Sequence, residues 1–390
     1  MSDHRVDAET TNSPLPKTML AAVYYDREDI RIETVSVPSP GPGELLLRTG
    51  TVGVCGSDAG EFTHGPSTHP VKVMNPFTHH LGPIIPGHEF SGTVVDIGKG
   101  VDQGWIGAMV ASCGSVCCGV CAACRRGESN LCVTYNGVGL QRNGALAGYV
   151  TTPAAASVDV KPFGLSLDEA ALCQPMAIAV HNVRRAGNVD GQTVLLIGAG
   201  GIGAFLVYVL KQLGALVVAV DRDAQRLTVA SELGADITVL VDGRDDEKTI
   251  RNTAGDVEFR VIIEATGSAS ALTTAFDIAP KGARIVAVGL QHTPTSLDLA
   301  RFTLTEKTLI GTNAMVRETD FPFAVELVSR RRGGWGLIAP TVLPLQDLVD
   351  GAIRPMVEGR AIVIKALIDP WTLDQRPSTK LADNNASSND

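Results

Sequence analysis

Four cysteines lie close together in the first half of the chain, at Cys118, Cys121, Cys124 and Cys132. Thiolates at such short spacings are typical ligands of a tetrahedral zinc ion, and a set of four thiolates leaves no coordination position open. The alternatives are a disulfide cluster or four unrelated thiols, which this spacing favours less. The pattern therefore predicts a closed, structural zinc site in a lobe that covers about residues 113–132.

A second group of candidate metal ligands precedes this lobe and consists of Cys55 and the adjacent pair His88 and Glu89. One thiolate, one imidazole and one carboxylate would leave the fourth position of a zinc ion free for water or a substrate oxygen. Zinc in such an open site acts as a Lewis acid on that oxygen. Cys55 taken alone would more often be a small buried thiol than a metal ligand. The neighbouring His-Glu pair favours a catalytic site.

A glycine-rich loop follows the buried run TVLLI and opens a helical pattern, which is the context that a dinucleotide-binding G-x-G-x-x-G motif requires. The first glycine permits a tight turn, the second lets the backbone approach a pyrophosphate, and the third lets the helix pack on the strand. The helix N-terminus then faces the phosphates. The residues predicted to bind the cofactor in this loop are Gly198, Gly200, Gly201, Ile202 and Gly203.

Asp221 ends the next apolar run and favours NAD over NADP, because a carboxylate there binds ribose hydroxyls and repels a 2′-phosphate. Arg222 follows directly and could stack on adenine or tolerate a phosphate, which keeps NADP open as the alternative. Thr266 and Gly289 are assigned to the same cofactor site.

The apolar patterns that position these motifs change near residue 187. Before it, short alternating runs with glycine turns predict an irregular β-barrel or partly open sheet, and residues 61–85 read as a long loop that covers the open metal site. After it, apolar strands alternate with helices, which predicts an α/β fold with a doubly wound parallel sheet closed by residues 307–313. The predicted segments are a flexible leader (1–17), a catalytic domain (18–186), a dinucleotide domain (187–320), a return to the catalytic domain (321–371) and a disordered tail (372–390).

Composition excludes several other functions. The net charge of −9 argues against nucleic-acid binding and against an anionic membrane surface. No apolar run reaches the roughly 18 residues of a spanning helix, and the polar N-terminal segment lacks the apolar core of a secretory signal. Eight cysteines without such a signal indicate metal ligands and free thiols, and we expect a cytoplasmic protein.

The segments Val54–Asp58 and Gly87–Gly92, together with the four-cysteine lobe and the glycine loop, resemble the zinc-dependent medium-chain dehydrogenase/reductase family. The similarity covers about residues 18–371 and is greatest to the sorbitol, threonine and butanediol dehydrogenases. It implies a GroES-like catalytic domain beside a Rossmann domain, and a homodimer or homotetramer formed through the dinucleotide domain. It also implies hydride transfer between NAD and a secondary alcohol, diol or cyclic alcohol, or the matching ketone.

In the terms of that resemblance, Cys55 and His88 are catalytic zinc ligands, and Glu89 is the third ligand or a close alternate. Ser57 corresponds to the hydroxyl that receives the substrate proton and passes it towards the cofactor ribose. A serine that satisfies a turn backbone is compatible with the same position.

Three positions depart from the family pattern. Gln174 stands where this branch has a glutamate, Gly60 where a relay histidine is common, and Gly148 where a glutamate precedes tyrosine. We expect these changes to remove charge around the metal, which suits a substrate less polar than a sugar alcohol or an altered proton path. Cys173 is an alternative ligand beside Gln174, although neighbours in a strand face opposite sides. The candidate substitutes for the relay are His64, His79 and His80.

Two alternative functions remain open from the sequence. One is a reductase of an enone or imine with weak or absent catalytic zinc. The other is a non-catalytic NAD-binding protein, since a fold alone does not carry a function. The intact set of Cys55, Ser57, His88 and Glu89 argues against the second.

Overall fold

A computed structural model describes residues 14–291 and 294–380 of the chain. Its strands form an eight-stranded sheet, a six-stranded sheet and two two-stranded sheets. The strands are β1 (Thr18–Asp26), β2 (Asp29–Ser36), β3 (Glu44–Gly53), β4 (Glu89–Ile97), β5 (Met109–Ser112), β6 (Ser115–Val116), β7 (Asn136–Gly137), β8 (Tyr149–Pro153), β9 (Ser157–Asp159), β10 (Thr193–Ile197), β11 (Leu216–Asp221), β12 (Ile237–Leu240), β13 (Val261–Glu264), β14 (Arg284–Ala287), β15 (Thr308–Gly311), β16 (Thr341–Pro344), β17 (Leu367–Asp369) and β18 (Arg376–Pro377).

The α-helices lie between these strands, and short 3-10 turns and one π-helical turn at Leu348–Ile353 join them. The helices are α1 (Gly56–His64), α2 (Ala122–Arg125), α3 (Leu167–Ala170), α4 (Cys173–Ala186), α5 (Gly201–Gln212), α6 (Ala224–Glu232), α7 (Asp246–Ala254), α8 (Ala269–Ile278), α9 (Leu299–Leu304), α10 (Asp320–Arg330) and α11 (Arg354–Val357). No helix in the described ranges is long and apolar enough to cross a membrane.

The six-stranded sheet is parallel and has the order β12-β11-β10-β13-β14-β15. Its central strands are short apolar runs with both faces buried, as expected when helices cover both sides of a parallel sheet. The strand order reverses between β10 and β13, and ligands bind at such a switch point, outside the carboxyl ends of the strands. The predicted doubly wound sheet is therefore confirmed.

The eight-stranded sheet is built around β3, which pairs antiparallel with β4, β8 and β17. Leu45, Leu46 and Leu47 of β3 are buried, so the strand lies inside the apolar core of this part of the chain. The irregular sheet predicted for the N-terminal region is confirmed. Its strands β16, β17 and β18 come from the far end of the chain, after the parallel sheet is complete.

Residues 372–380 are ordered, and the prediction of a disordered tail was wrong for this stretch. β18 pairs with β16, and the Arg376 guanidinium donates two hydrogen bonds to the buried carboxylate of Asp168, at 2.7 and 2.9 Å. Thr379 donates its backbone N–H to the same carboxylate. The polar composition concealed this order because the partners lie far away in sequence. Residues 381–390 of the predicted tail and 1–13 of the predicted leader lie outside the described residues.

The start of the segment predicted as a turn and long loop is helix α1. Asp58 stabilises its first turn by accepting a hydrogen bond from the backbone N–H of Cys55 at 2.8 Å. Glycines at positions 56 and 60 weaken the helical signal in the sequence. From Gly65 onwards the segment is irregular, as predicted, and the buried Glu61 carboxylate holds its beginning by accepting from the N–H groups of Ser67 and Thr68.

Candidate active site

The structure brings Cys55, His88 and Glu89 together, with their potential ligand atoms all within 4.8 Å of one another. Cys55 caps the N-terminus of α1 just after β3, and Glu89 is the first residue of β4, which pairs with β3. A Cβ atom at Gly53 would lie 2.3 Å from Glu89 Oε2, so a glycine there leaves room for the carboxylate. Adjacent strands thus place all three predicted ligands at one point.

Asp58 faces the second nitrogen of the His88 ring. His88 Nδ1 lies 3.7 Å from Asp58 Oδ1, while Nε2 lies 3.4 Å from Ser57 Oγ. Burial alone would lower the pKa of His88, but the carboxylate of Asp58 and the sulfur of Cys55 outweigh burial and raise the pKa to about 10. A carboxylate behind a ligand histidine fixes the orientation of its ring.

A buried lysine completes the site. The Lys365 ammonium lies 2.8 Å from each carboxylate oxygen of Glu89 and donates to the Val54 carbonyl at 3.2 Å. Lys365 is 3 % exposed and Glu89 is 1 % exposed. Burial alone would lower the pKa of Lys365, but the negative groups of Glu89 and Cys55 outweigh burial and raise it. The ammonium therefore stays charged and balances the carboxylate.

The donor set fits a zinc ion. A thiol, an imidazole and a carboxylate are the ligand types of catalytic zinc sites. His88 Nδ1 and Asp58 Oδ1 are buried, make no hydrogen bond and lie 3.7 Å apart. Glu89 Oε2 has the Lys365 ammonium 2.8 Å away as its partner. The fit to a zinc ion rests on the chemistry of the three donors and on ligand atoms that lie within 4.8 Å of one another.

Cys173 and Gln174 open helix α4, so the premise that they lie in a strand was wrong. Cys173 is fully buried in the apolar core, where burial raises the pKa of its thiol, and it is not in the group formed by Cys55, His88 and Glu89. An inert buried thiol is a poor metal ligand. Gln174 is also buried, and its contribution to the metal site stays a prediction.

The two glycine departures differ in their surroundings. A side chain at Gly60, on α1, would enter open space. The structure therefore has room for a relay histidine at this position, although the sequence has a glycine there. A side chain at Gly148 would meet the indole of Trp371 at 3.1 Å and the Met19 side chain. The structure therefore shows a packing role for Gly148, and the expectation that it removes charge near the metal stays a prediction. Its glycine makes room for Trp371.

The four cysteines of the lobe also converge, with sulfur atoms within 4.8 Å of one another. Backbone N–H groups point at three of the sulfurs: Cys118 N at Cys132 Sγ (3.2 Å), Cys121 N at Cys118 Sγ (3.3 Å) and Cys124 N at Cys121 Sγ (3.5 Å). Hydrogen bonds from the backbone N–H groups of Cys124 and Val133 lower the pKa of Cys121 to about 6, which favours the thiolate that a metal needs. None of the eight cysteines, all of which lie in the described residues, forms a disulfide bond, so the structure does not support the disulfide alternative.

The glycine loop borders a cavity of 310 Å³ at the carboxyl edge of the parallel sheet. Gly198 has a φ of 100°, and a Cβ at Gly203 would lie 2.0 Å from the Gly198 carbonyl oxygen, so both positions require glycine. The predicted residues that line this cavity are Gly198, Gly200, Gly201, Asp221, Arg222 and Thr266. Ile202 packs against the core, and Gly289 lies against the backbone of Gly267.

Asp221 is fixed by the backbone around it. One carboxylate oxygen accepts from the N–H of Ala199 at 2.7 Å, and the other accepts from the N–H of Asp223 at 3.0 Å. Arg226, which the sequence interpretation missed, lies 3.9 Å from the same carboxylate and lines the cavity beside Gly200. The signal that the sequence offered was a cation five residues after Asp221, at the start of α6.

Two family models match the chain. The model of the alcohol dehydrogenase GroES-like domain matches residues 41–162, and that of the zinc-binding dehydrogenase matches residues 201–330. Both therefore correspond to the two halves that the sheets define.

Individual relatives agree with this result. The erythritol/L-threitol dehydrogenase of Mycolicibacterium smegmatis is 32 % identical over 74 % of this chain and 80 % of its own length. The structure of 2R,3R-butanediol dehydrogenase from Bacillus subtilis is similar with a TM-score of 0.80, at 28 % identity, over 90 % of this chain and 99 % of that one. A zinc-binding dehydrogenase from Sinorhizobium meliloti, solved with NADP, has a TM-score of 0.77 at 26 % identity, over 91 % of this chain and all of that one.

The buried ion pair generates a prediction that separates metal-free from metal-loaded protein. Replacing Lys365 with Met should lower the free energy of unfolding of the metal-free protein by about 3 kcal/mol, because it leaves the Glu89 carboxylate buried and unpaired. Zinc should recover much of this loss, since the carboxylate then has a cation. Thermal unfolding with chelator and with zinc measures both values.

Lys307→Met is the matched control, because Lys307 is also buried but donates to the Phe276 carbonyl in the other sheet region. Its loss of stability should be the same with and without zinc. An equal loss for Lys365→Met under the two conditions would contradict the assigned role of Lys365.

Proposed function

Because the chain belongs to the zinc-dependent medium-chain alcohol dehydrogenase family, we propose that it transfers a hydride between NAD and a secondary alcohol or diol, or the matching ketone. The observation that carries this proposal is the convergence of Cys55, His88 and Glu89, with Ser57 beside them. A family model covers each half of such an enzyme. The sequence-based alternatives, an enone or imine reductase and a non-catalytic protein, are not favoured, since the relatives are named dehydrogenases of alcohols and polyols.

Each residue of the site has a separate task in this proposal. Cys55, His88 and Glu89 would hold a catalytic zinc, which supplies Lewis-acid polarisation of the substrate oxygen. Asp58 orients the His88 ring, and Lys365 holds the Glu89 carboxylate and offsets its charge. Ser57 Oγ is the group placed to receive the hydroxyl proton of the substrate. The four-cysteine lobe would hold a second, structural zinc.

The substrate class follows from what surrounds the metal residues. Gln174 is neutral, and position 60 carries no titratable side chain, so the site offers fewer charged partners to a sugar hydroxyl. Two of the similar proteins are named for a four-carbon polyol or diol, and others are named for sorbitol. We therefore propose a small diol or a less polar secondary alcohol, including a cyclic one, as the substrate.

Replacing Cys55 with Ser tests the catalytic metal site. The variant should stay folded, lose one of two zinc ions and lose at least about a thousandfold in turnover, because the metal supplies several kcal/mol of charge stabilisation. Metal analysis and NADH formation measure the two effects. Cys117→Ser is the control, since this half-buried thiol belongs to neither metal group. Full activity of Cys55→Ser would refute the assignment.

We also propose NAD as the preferred cofactor, although Arg222 and Arg226 bring positive charge to the same cavity. Asp221 should oppose a 2′-phosphate there by charge repulsion. In Asp221→Ser, the ratio of kcat/KM for NAD to that for NADP should fall at least about tenfold. Asp223→Ser is the control, because Asp223 caps α6 and does not line the cavity. An unchanged ratio in Asp221→Ser would show that another group selects the cofactor.

We infer that two copies associate through β15, the outer strand of the parallel sheet. An open strand edge with exposed apolar side chains favours pairing with another chain. Leu304 is 80 % exposed and Leu309 is 41 % exposed at this edge. The protein should therefore have at least the mass of a dimer in solution, and Leu309→Lys should reduce it to a monomer. Leu240→Lys, on the opposite edge strand β12, should not. A monomeric unmodified protein would contradict this arrangement.

For the cellular location we propose the cytoplasm, because eight unpaired cysteines suit a reducing compartment.

A further inference from the structure

A buried polar junction joins three segments that are distant in sequence. They are the end of the four-cysteine lobe at Ser129 and Asn130, the middle of α4 at His181, and residues 312–320 after β15. Asn130 is 5 % exposed, His181 is 7 % exposed and Asp320 is 1 % exposed. Buried polar groups of this kind contribute specific geometry as well as energy, because each lost partner leaves an unpaired group.

His181 uses both of its ring nitrogens in this junction. Nδ1 lies 2.8 Å from Asp320 Oδ2, and Nε2 lies 3.4 Å from Asn130 Nδ2. With a proton on Nδ1, the ring donates to the carboxylate and accepts from the amide. Asp320 also pairs with Arg184 and accepts from the N–H of Val316 at 2.7 Å. The His181 imidazole therefore connects helix α4 both to the lobe and to the 312–320 segment.

Asn130 makes a reciprocal contact with Asn313. Its Nδ2 donates to the Asn313 carbonyl at 2.8 Å, and Asn313 Nδ2 donates to the Asn130 carbonyl at 3.3 Å. Next to it, Ser129 Oγ donates to Glu318 at 2.6 Å and accepts from the N–H of Arg317 at 3.2 Å. Asn130 stands two residues before Cys132, so it belongs to the same lobe as the four thiols.

Residues 312–317 lie beside the carboxyl end of the outer strand β15. They follow directly from Gly311, the last residue of β15, at the carboxyl edge of the parallel sheet. Ligands of such sheets bind outside this edge, and the glycine loop of β10 takes the pyrophosphate, so the strands beyond β13 serve the nicotinamide half. Thr312 also donates to Asn182 of α4 at 2.6 Å, which fixes the start of the segment.

We propose that Ser129 and Asn130 are positioning residues for the cofactor. They hold residues 312–317 in the place that accepts the nicotinamide half, so that dinucleotide affinity depends on the lobe that the four cysteines organise. This inference rests on the proposed NAD-dependent function. It gives the lobe a task beyond stabilising the fold.

The test is Asn130→Asp in the full-length, zinc-loaded protein. The variant keeps the size of the side chain but removes the two N–H donors and places an oxygen against the Asn313 carbonyl and the His181 ring. The dissociation constant of NADH, measured by its fluorescence, should rise about tenfold, the size of one lost buried hydrogen bond. The KM for NAD should rise with it, while the KM for the alcohol and the zinc content should not change.

Asn136→Asp is the matched control, because Asn136 is buried nearby but bonds to Thr134 and Arg142 instead of the 312–320 segment. Its NADH affinity should equal that of the unmodified protein. Ser129→Ala supplies a second, milder variant with a rise in the same direction, should Asn130→Asp fail to fold.

A lower melting temperature with unchanged NADH affinity in both lobe variants would overturn the inference, since it would show a structural role alone. If the unmodified protein itself fails to bind NADH, the proposed function fails, and the inference fails with it. The NADH affinity of the unmodified protein therefore distinguishes a failure of the proposed function from a failure of this inference.

Discussion

The buried ion pair between Glu89 and Lys365 is the interaction on which the site depends. It joins two residues that are 276 positions apart in sequence. Glu89 begins strand β4, and Lys365 lies just before strand β17. A carboxylate this deeply buried needs a cation, and removing one partner of such a pair is strongly destabilising. The ligand group of the first sheet is therefore complete only when the C-terminal segment that carries Lys365 packs against that sheet.

The cost of burying charged groups also explains why further polar side chains lie behind the candidate metal ligands. Cys55, His88 and Glu89 sit in an apolar sheet region, so each needs a partner: Asp58 faces His88, and Lys365 faces Glu89. The four-cysteine lobe repeats this logic with backbone N–H groups directed at its sulfurs. In both places, polar groups of the protein itself lower the free-energy cost of burying the charges, independently of a bound cation.

Local patterns in the sequence were sufficient to predict which residues converge in the two candidate ligand groups and where the glycine loop lies, because closely spaced cysteines and glycines impose their own geometry. The parallel sheet followed from apolar strands alternating with helices. Lys365 was missed because its partner is remote, although a single cation inside the apolar run of residues 361–368 was a signal. The order of residues 372–380 was missed for the same reason, since Asp168 lies far from Arg376 in sequence.

Other errors came from local ambiguity. Cys173 and Gln174 open a helix that contains a proline at its third position, which a short apolar window cannot separate from a strand. The contact that Trp371 makes at Gly148 was also missed, because Trp371 lies far later in the sequence. Such contacts depend on which distant segment packs against a residue, and no spacing rule contains that information.

The most direct test is the zinc content of the purified protein, measured together with NADH formation from diols, cyclic alcohols and sugar alcohols. The account predicts two zinc ions per chain and oxidation of a diol or secondary alcohol. One zinc ion per chain, held by the four cysteines alone, with no alcohol oxidised, would contradict it, because Cys55, His88 and Glu89 would then not form a working metal site.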